Sequence, residues 1–444
     1  MTHTSFFFSR IRHFRKNENG AITIFGLFLF AAIVLVGGLA IDMHKLMTAR
    51  TQLQVSADMT AHAALYRRDF ESDPATAKTQ ALALVEASMP NSVYGKVIES
   101  SDITFGKYDA TTETFTPSAN SKSAVHVYST RLNSKSNPVS TFVLRILGYV
   151  DYDMSVQSVF VTYRPTCFRE GFVSNEPVDI QSNNAFTNGF CIHSNSHVSL
   201  NNNNEFEAGT IVSMPDSENL DMPTSGWVSN DGIAAAIRPG PYRLRIVAKI
   251  PAIIQGLKDR DPEHLPDYID PLKPTVSITP KSGKGITMAD LTPGRVHLAG
   301  CHANGVLTID EPTAINNVVI VTDCKVKFGQ ALKIEDAIIA TTLTDTKSIT
   351  SSASLTLGKD DGCAADGGSV LITMGGMEFS SDLSIYGSQL LAKGDIVFSA
   401  NANGVEGASI VAGGEISGTS NMDMGFCGSG MTNIFEAEYF RLAY

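Results

Sequence analysis

The stretch that decides the fold of most of the chain is residues 387–412, GSQLLAKGDIVFSANANGVEGASIVA. Its first and last six residues share one pattern, in which a glycine and a small residue precede a short apolar run. Related runs occur upstream, and the five copies start 19, 32, 19 and 20 residues apart, at Asn317, Asp336, Gly368, Gly387 and Gly407. This period predicts a parallel β-solenoid over 297–444, because stacked coils together bury an apolar face that one coil cannot.

Shorter copies of the pattern, at residues 178–184, 189–195 and 198–204, predict that the first solenoid coils lie within 166–214. Their asparagines suit the corners of coils, because asparagine tolerates left-handed backbone and its amides can stack in ladders. A glycan-contacting surface is the alternative interpretation of these asparagines.

Residues 215–296 interrupt the period and hold eleven of the 18 prolines. We expect an insertion that leans on the solenoid, with a helix over 246–260 that is kinked at Pro251. The length of this segment makes it a candidate for partner contact.

Residues 21–41, AITIFGLFLFAAIVLVGGLAI, contain no charged side chain. A helix of this length spans about 30 Å, the thickness of the hydrocarbon core of a bilayer, so it predicts a transmembrane anchor. Representative anchor residues are Ala21, Phe25, Leu29, Ile33, Gly37 and Ile41. Four cations within residues 1–20 precede it, which predicts a cytoplasmic N-terminus and an exported body. A cleaved secretory signal is the alternative, and it also exports the body.

Residues 42–66 contain no glycine or proline. Small and apolar side chains recur there at intervals of three and four, at Leu46, Ala49, Leu53, Ala57, Ala61 and Ala64. The spacing predicts that the anchor continues as a long helical spine with one apolar stripe. The stripe can pack against the domain that follows in the same chain, or against the spines of other subunits.

Nine residues around this junction form a recognisable pattern: Gly20, Asp42, Arg50, Leu53, Gln54, Ala57, Asp58, Ala61 and Ala64. Residues 15–66 thereby resemble the N-terminal segment of TadE/TadG-like proteins of tight-adherence (Flp, type IVb) pilus systems. The resemblance implies a single-pass protein of the bacterial inner membrane with a periplasmic body. It implies pilus-assembly components or related TadE/TadG-like proteins as partners. Phe25 stands where prepilin cleavage needs a glutamate, so a pilin subunit is not implied.

Residues 67–165 predict a small α+β domain, which also resembles the TadG-like branch. Asp73 and Pro74 suit the N-cap and first position of a helix that ends before Pro90. Strands are expected over 102–109, 124–130 and 154–163, and a short apolar helix over 142–148.

All six cysteines follow the anchor, at Cys167, Cys191, Cys301, Cys324, Cys363 and Cys427. An even number of cysteines in an exported body predicts disulfides. Their order along the chain favours the pairs 167–191, 301–324 and 363–427 and leaves other pairings open.

The chain carries a net charge of −11, which argues against a nucleic-acid partner. Catalytic motifs and phosphate loops are missing from the sequence, so we expect no enzyme activity and no cofactor. Zinc at Cys191, His193 and His197 is the weaker alternative to a disulfide. Calcium at the acidic run 360–366 is likewise the weaker alternative to a solvated turn.

The sequence therefore predicts a mixed fold: a transmembrane helix with a long α spine, a small α+β domain, and a C-terminal parallel β-helix. The predicted function is a pilus-assembly protein whose non-catalytic solenoid contacts envelope partners or adheres. One alternative is a surface adhesin that binds glycan or a cell surface. Another is a polysaccharide-active β-helix enzyme, with Glu378, Asp395 and Glu415 as candidate carboxylates.

Overall fold

The computed structural model describes residues 19–70, 73–187, 189–380, 382–398, 404–418, 421–428 and 431–443. They belong to two compact units, Met1–Tyr163 with Glu438–Tyr444, and Arg164–Ala437. Along the chain, the second unit is thus an insertion into the first. Residues 1–18, which make up most of the basic segment before the anchor, lie outside the described residues.

The two units are built from the following elements. The helices are α1 (Asn19–Phe70), α2 (Pro74–Ser88), α3 (Asn91–Tyr94), α4 (Gly226–Ser229), α5 (Ile233–Ala236) and α6 (Arg245–Asp259). The strands are β1 (Ile103–Asp109), β2 (Thr114–Pro117), β3 (Ala124–Arg131), β4 (Val139–Ser140), β5 (Asp151–Tyr152), β6 (Met154–Tyr163), β7 (Gly171–Ser174), β8 (Val178–Ile180), β9 (Ala185–Phe186), β10 (Cys191–Ser194), β11 (Val198–Leu200), β12 (Glu205–Phe206), β13 (Ile211–Met214), β14 (Ile237–Pro239), β15 (Val276–Ile278), β16 (Arg295–Ala299), β17 (Val306–Ile309), β18 (Ala314–Thr322), β19 (Lys325–Phe328), β20 (Leu332–Thr341), β21 (Ile349–Ser351), β22 (Leu355–Leu357), β23 (Ser369–Thr373), β24 (Met377–Phe379), β25 (Leu383–Ala392), β26 (Ile396–Phe398), β27 (Val405–Ala412), β28 (Ile416–Ser417), β29 (Asp423–Gly425) and β30 (Tyr439–Leu442).

The first unit packs α1 and α2 against an antiparallel sheet with the strand order β2-β1-β3-β6-β30. One unbroken helix of 52 residues contains both the anchor and the spine. Asp73 caps α2 by accepting hydrogen bonds from the N–H groups of Ala75 and Thr76, at 3.2 and 3.0 Å. The insertion leaves from the end of β6 and returns at β30, which are neighbours in this sheet.

The small-residue stripe of α1 forms the core of the first unit. Leu53, Ala57, Ala61 and Ala64 are fully buried. They pack with these side chains of α2 and the sheet: Ala77, Ala81, Val85, Ile103, Phe105, Val125, Val127 and Val156. These four side chains are thus already covered within the chain, so the interpretation that they contact the spines of other subunits is wrong.

The second unit consists largely of parallel strands in two long sheets. One sheet has the main-path order β14-β13-β10-β7-β27-β25-β22-β20-β18-β16-β15, and the other has the order β11-β8-β28-β26-β24-β21-β19-β17. Neighbouring strands place apolar side chains opposite one another. Ile192, for example, stands opposite both Phe172 and Val212. The inward side chains form one continuous apolar core. This is a mixed α/β protein with a solenoid-like β region.

The order of the coils in space differs from their order along the chain. Strand β7 pairs with β10 on one side and with β27 on the other, so the last long strand stacks on the first coil. The main path of the long sheet ends at β14 and β15. Both of these strands come from residues 215–296.

The segment 215–296 therefore differs from the expected insertion. It carries β14, β15 and the start of β16. Helix α6 lies between β14 and β15 in sequence and packs against β16, β18, β23 and β25. The helix contains Pro251 and buries Ile250, Ile253, Ile254 and Leu257. The chain thus leaves one end of the long sheet, passes along it through α6, and re-enters at the other end. Strands β14 and β15 have only three residues each and contain or lie close to prolines, so they are too short to show the period.

Candidate functional site: the end of the membrane anchor and the solenoid surface

One helix in the described part of the chain is long and apolar enough to cross a membrane, within Ile22–Asp69. Of residues 22–41, only Gly38 is buried. The predicted anchor residues Phe25, Leu29, Ile33 and Ile41 all have exposed side chains. An apolar surface of this extent needs an apolar environment, which the described part of the chain does not provide.

Asp42, the first residue after the apolar run, has a fully buried side chain. Its carboxylate accepts three backbone N–H groups, from Phe142 at 2.5 Å, Val143 at 2.8 Å and Leu144 at 2.6 Å. These amides lie at the start of the 3-10 helix Leu144–Leu147, where N–H groups lack partners within the helix. Hydrogen bonds to a carboxylate are among the stronger ones in proteins. Asp42 thereby fixes this segment to α1.

Two further contacts hold the same segment against α1. Lys45 donates from Nζ to Ser140 Oγ at 3.0 Å. A Cβ atom added to Gly38 would lie 2.5 Å from the Val143 side chain, so glycine is needed for this approach. Gly38, Asp42 and Lys45 are spaced four and three residues apart, which places them on one face of the helix. We call residues Thr141–Val150 the exit loop.

The polar residues of the family pattern lie farther along α1. Gln54 donates from Nε2 to Asp58 Oδ1 at 2.9 Å and to the carbonyl oxygen of Gln157 in β6 at 3.1 Å. Arg50 is exposed and lines a groove of about 390 Å³ with Gln54 and Tyr128. Gly20 is exposed at the start of the helix. The family pattern thus combines residues of the core, the buried Asp42 that holds the exit loop, and residues that line a polar groove.

The asparagines of the first coils form ladders, as their positions predict. Asn184 donates to Asn204 Oδ1 at 2.8 Å, and Asn204 donates to Asn230 Oδ1 at 3.1 Å. These three side chains are buried, so they do not contact glycans. The left-handed backbone of Asn183 and Asn203 confirms the corner assignment, and Asn421 has the same backbone conformation. Asn183 also donates to Asn421 Oδ1 at 3.2 Å, between the first and last coils.

The structure contains three disulfides, Cys167–Cys191, Cys301–Cys324 and Cys363–Cys427. Zinc at Cys191 is therefore excluded, because a disulfide sulfur is not a thiolate. His193 is buried and hydrogen-bonds Ser213 Oγ at 2.8 Å and Asn195 Oδ1 at 3.1 Å. Asp361 accepts the N–H of Ala364 at 3.0 Å within its turn.

The candidate carboxylates lie on or beside neighbouring strands of the eight-stranded sheet. Asp395 accepts the N–H of Glu415 at 2.9 Å. Glu378 forms an ion pair with Lys347 at 2.5 Å. Burial raises the pKa of Glu415, and the charges of Asp179 and Asp395 raise it further. Asp179 was missed by sequence reasoning, because it belongs to the first coils and meets Glu415 only through the unexpected stacking order.

Three family models match the chain, and their boundaries follow the two units. A model described as "Domain of unknown function (DUF7867)" matches residues 171–428, more than half of the chain. The chain belongs to this family. The DUF7867 domain is thus the solenoid-like unit.

The first unit matches two pilus-assembly models. The Tad model, described as Flp pilus-assembly TadE/G-like, matches residues 20–77, and the Tad_C model, described as Tad-like Flp pilus-assembly, matches residues 60–159. The predicted resemblance to TadE/TadG-like proteins is confirmed. These matches support a pilus-assembly role, and with the apolar helix they fit a membrane-anchored protein. They also suggest a non-enzymatic role and an interaction with pilus components or the membrane. No curated protein matches the chain.

Proposed function

We propose that the protein is a single-pass inner-membrane component of Flp pilus assembly, and that its DUF7867 domain is a periplasmic, non-catalytic parallel β-helix that contacts envelope partners. One observation carries this proposal. The TadE/G-like match covers the helix whose apolar residues 22–41 are exposed, apart from Gly38. The pilus-assembly signature and the membrane anchor are therefore the same segment.

The charge and cysteine distributions support the orientation. The cations within residues 10–16 precede the anchor, and positive residues favour the cytoplasmic side. The three disulfides follow it, and disulfides persist in oxidising compartments such as the periplasm. Both features favour a body outside the cytoplasm.

The strand pairing supports a parallel β-helix. One coil contains β7, β8 and β9, and the next contains β10, β11 and β12. Each strand of the first set pairs in parallel with its counterpart in the second. A stack of such coils presents long, regular faces, which suit contact with an extended partner.

Deletion of the gene, followed by electron microscopy of surface pili and an adhesion assay on the same cells, tests the assembly role. We expect loss of pili and recovery when the full-length gene is returned. Normal pili with lost adhesion would contradict the assembly role and favour an adhesin instead.

An alkaline phosphatase fusion after residue 444 tests the orientation, since this enzyme matures only where disulfides form. We expect an active fusion. A matched fusion after residue 18, before the anchor, should be inactive. The reverse pattern would place the body in the cytoplasm.

A further inference from the structure

We propose that the exit loop, Thr141–Val150, inserts its apolar side chains into the lipid bilayer beside α1, as a second membrane contact. The proposal rests on the membrane anchoring of residues 21–41 proposed above. The proposal goes beyond this anchoring, because the loop belongs to the folded body, about 100 residues after the anchor.

The first argument is the exposure of the loop. The side chains of Phe142, Ile146, Leu147 and Tyr149 are 70%, 79%, 59% and 59% exposed, and Val150 is exposed as well. Isolated apolar side chains are common on protein surfaces, but a contiguous group of this kind marks an interaction site. Val143 and Leu144, by contrast, are half-buried. The loop therefore contains both residues that pack on the protein and residues that no described part of the chain covers.

The second argument is the position of the loop along α1. Val143 contacts Gly38, which lies inside the apolar run, and Ser140 is bound to Lys45, which lies beyond it. From Gly38 to Asp42 the helix rises about 6 Å. The loop therefore lies beside the last turn of the membrane-spanning segment, at the boundary between acyl chains and headgroups.

The third argument is that much of the loop backbone is hydrogen-bonded within the protein, which lowers the cost of entering an apolar medium. Strands β4 and β5 pair across the base of the loop. The N–H of Thr141 donates to the carbonyl oxygen of Val150 at 3.0 Å, and the N–H of Tyr149 donates to that of Leu144 at 3.1 Å. The three amides at the start of the 3-10 helix are satisfied by Asp42.

The fourth argument is composition, which favours lipid over a protein partner. Arg145 is the single charged residue of the loop, and it is exposed. A guanidinium suits a lipid phosphate, and its long stem allows the charge to reach the headgroups while neighbouring side chains enter the acyl region. Tyrosine, here Tyr149, is enriched at the membrane–water interface.

Tryptophan fluorescence of the full chain in vesicles tests the proposal. The sequence has one tryptophan, Trp227, so Trp227→Phe gives a background without it. On this background Ile146→Trp places the probe in the loop. Leu29→Trp places it in the anchor, and Val93→Trp places it at a 70% exposed site of α3. Val93 is adjacent to Tyr94, which lines a groove together with Val55. Val55 lies about 20 Å along α1 from Asp42.

The vesicles contain phosphatidylglycerol and phosphatidylcholine brominated on the acyl chains, and circular dichroism confirms that each variant is folded. We expect blue-shifted emission and quenching for Ile146→Trp and Leu29→Trp, and solvent-like, unquenched emission for Val93→Trp. Quenching at residue 29 without quenching at residue 146 would overturn the inference and leave the anchor intact. A blue shift at residue 146 without lipid quenching would also overturn it, in favour of a protein contact. No quenching at residue 29 would contradict the anchor itself.

Discussion

Ile410 of β27 stands directly opposite Phe172 of β7, although 238 residues separate them, and the two strands pair in parallel. The stacking continues on the next strand of the coil, where Ile416 stands opposite Val178, and on the third, where Met424 stands opposite Phe186. The last coil of the DUF7867 domain is thus continuous with its first. Because β27, β28 and β29 pair with β7, β8 and β9, the N-terminal and C-terminal strands of the domain meet within the sheets rather than at opposite ends of them.

The first prediction concerns this junction. Phe172 is fully buried, and its ring lies 5.2 Å from the ring of Phe190 and 5.8 Å from that of Phe398. Phe172→Ala should lower the free energy of unfolding by about 3–5 kcal/mol, because it removes apolar burial and leaves a cavity. Urea unfolding followed by circular dichroism measures this.

The matched control for that prediction is Val228→Ala in α4, whose side chain is 91% exposed. It should change the free energy of unfolding by less than about 0.5 kcal/mol. Equal effects of the two substitutions would contradict the burial of Phe172 at this junction.

The second prediction compares two disulfides. Cys363–Cys427 closes a loop of 64 residues, and Cys301–Cys324 closes one of 23. A cross-link restricts the unfolded chain more strongly when its loop is longer, and removal typically costs about 2–4 kcal/mol. Replacing both cysteines of the 363–427 pair by serine should therefore destabilise the domain more than the same change at 301–324. Thermal unfolding of the two double variants gives the order, and the reverse order would show that native strain dominates over loop closure.

Part of this fold follows directly from the sequence. The copies between Asn317 and Ala412 have similar apolar runs, and three of their four intervals are 19 or 20 residues. The anchor is visible because 21 consecutive residues lack charge. The asparagine ladders follow from residue chemistry alone, since Asn183 and Asn203 need left-handed backbone and neighbouring Asn184 and Asn204 need amide partners.

The order of the coils does not follow from the sequence. Every coil offers similar short apolar strands, so local pattern does not determine that Ile410 meets Phe172. The role of Asp42 does not follow from the sequence either, for a related reason. Its partners are backbone amides 100 to 102 residues away, and a backbone amide has no sequence signature. Sequence reasoning marked Asp42 as a family residue without giving the contact that explains it.

The third prediction concerns the stripe of α1. Ala57 is fully buried in the core of the first unit, and Val55 on the same helix is 51% exposed. Ala57→Glu buries a carboxylate without a partner, which should cost more than about 4 kcal/mol and unfold this unit. Val55→Glu should cost less than about 0.5 kcal/mol. Limited proteolysis of the two variants in detergent distinguishes them, and a protease-resistant Ala57→Glu variant would contradict the described core.

The fourth prediction concerns Asp42. Asp42→Ala leaves the N–H groups of Phe142, Val143 and Leu144 without their acceptor, so the exit loop should open more often. Hydrogen–deuterium exchange of these three amides should become faster, while exchange within β6 stays unchanged. Asp58→Ala, which removes the acceptor of Gln54 at 2.9 Å, is the control and should leave the loop amides protected. Equal protection in both variants would show that Asp42 does not hold the loop.

The last prediction concerns the response of the DUF7867 domain to acid. His297 is buried, and both of its ring nitrogens are engaged: Nε2 accepts the N–H of Thr292 at 2.9 Å, and Nδ1 lies 3.3 Å from the carbonyl oxygen of Val319. This arrangement suits the neutral ring, with the proton on Nδ1. Burial lowers the pKa of His297, and the nearby charge of Arg295 lowers it further.

The sign of the effect follows from the lowered pKa. At a pH below the pKa of an unfolded histidine, about 6.5, His297 binds a proton in the unfolded chain but not in the folded domain. The stability contributed by His297 is therefore complete above pH 6.5. It falls as the pH decreases, by at most about 1.4 kcal/mol per pH unit.

Urea unfolding between pH 5 and 7.5 measures this loss, and His297→Gln should reduce the slope. The exposed Val228, which does not titrate, provides the control, and Val228→Ala should keep the slope of the unsubstituted protein. An unchanged slope in His297→Gln would mean that other groups, such as His193, whose pKa burial also lowers, cause the acid sensitivity.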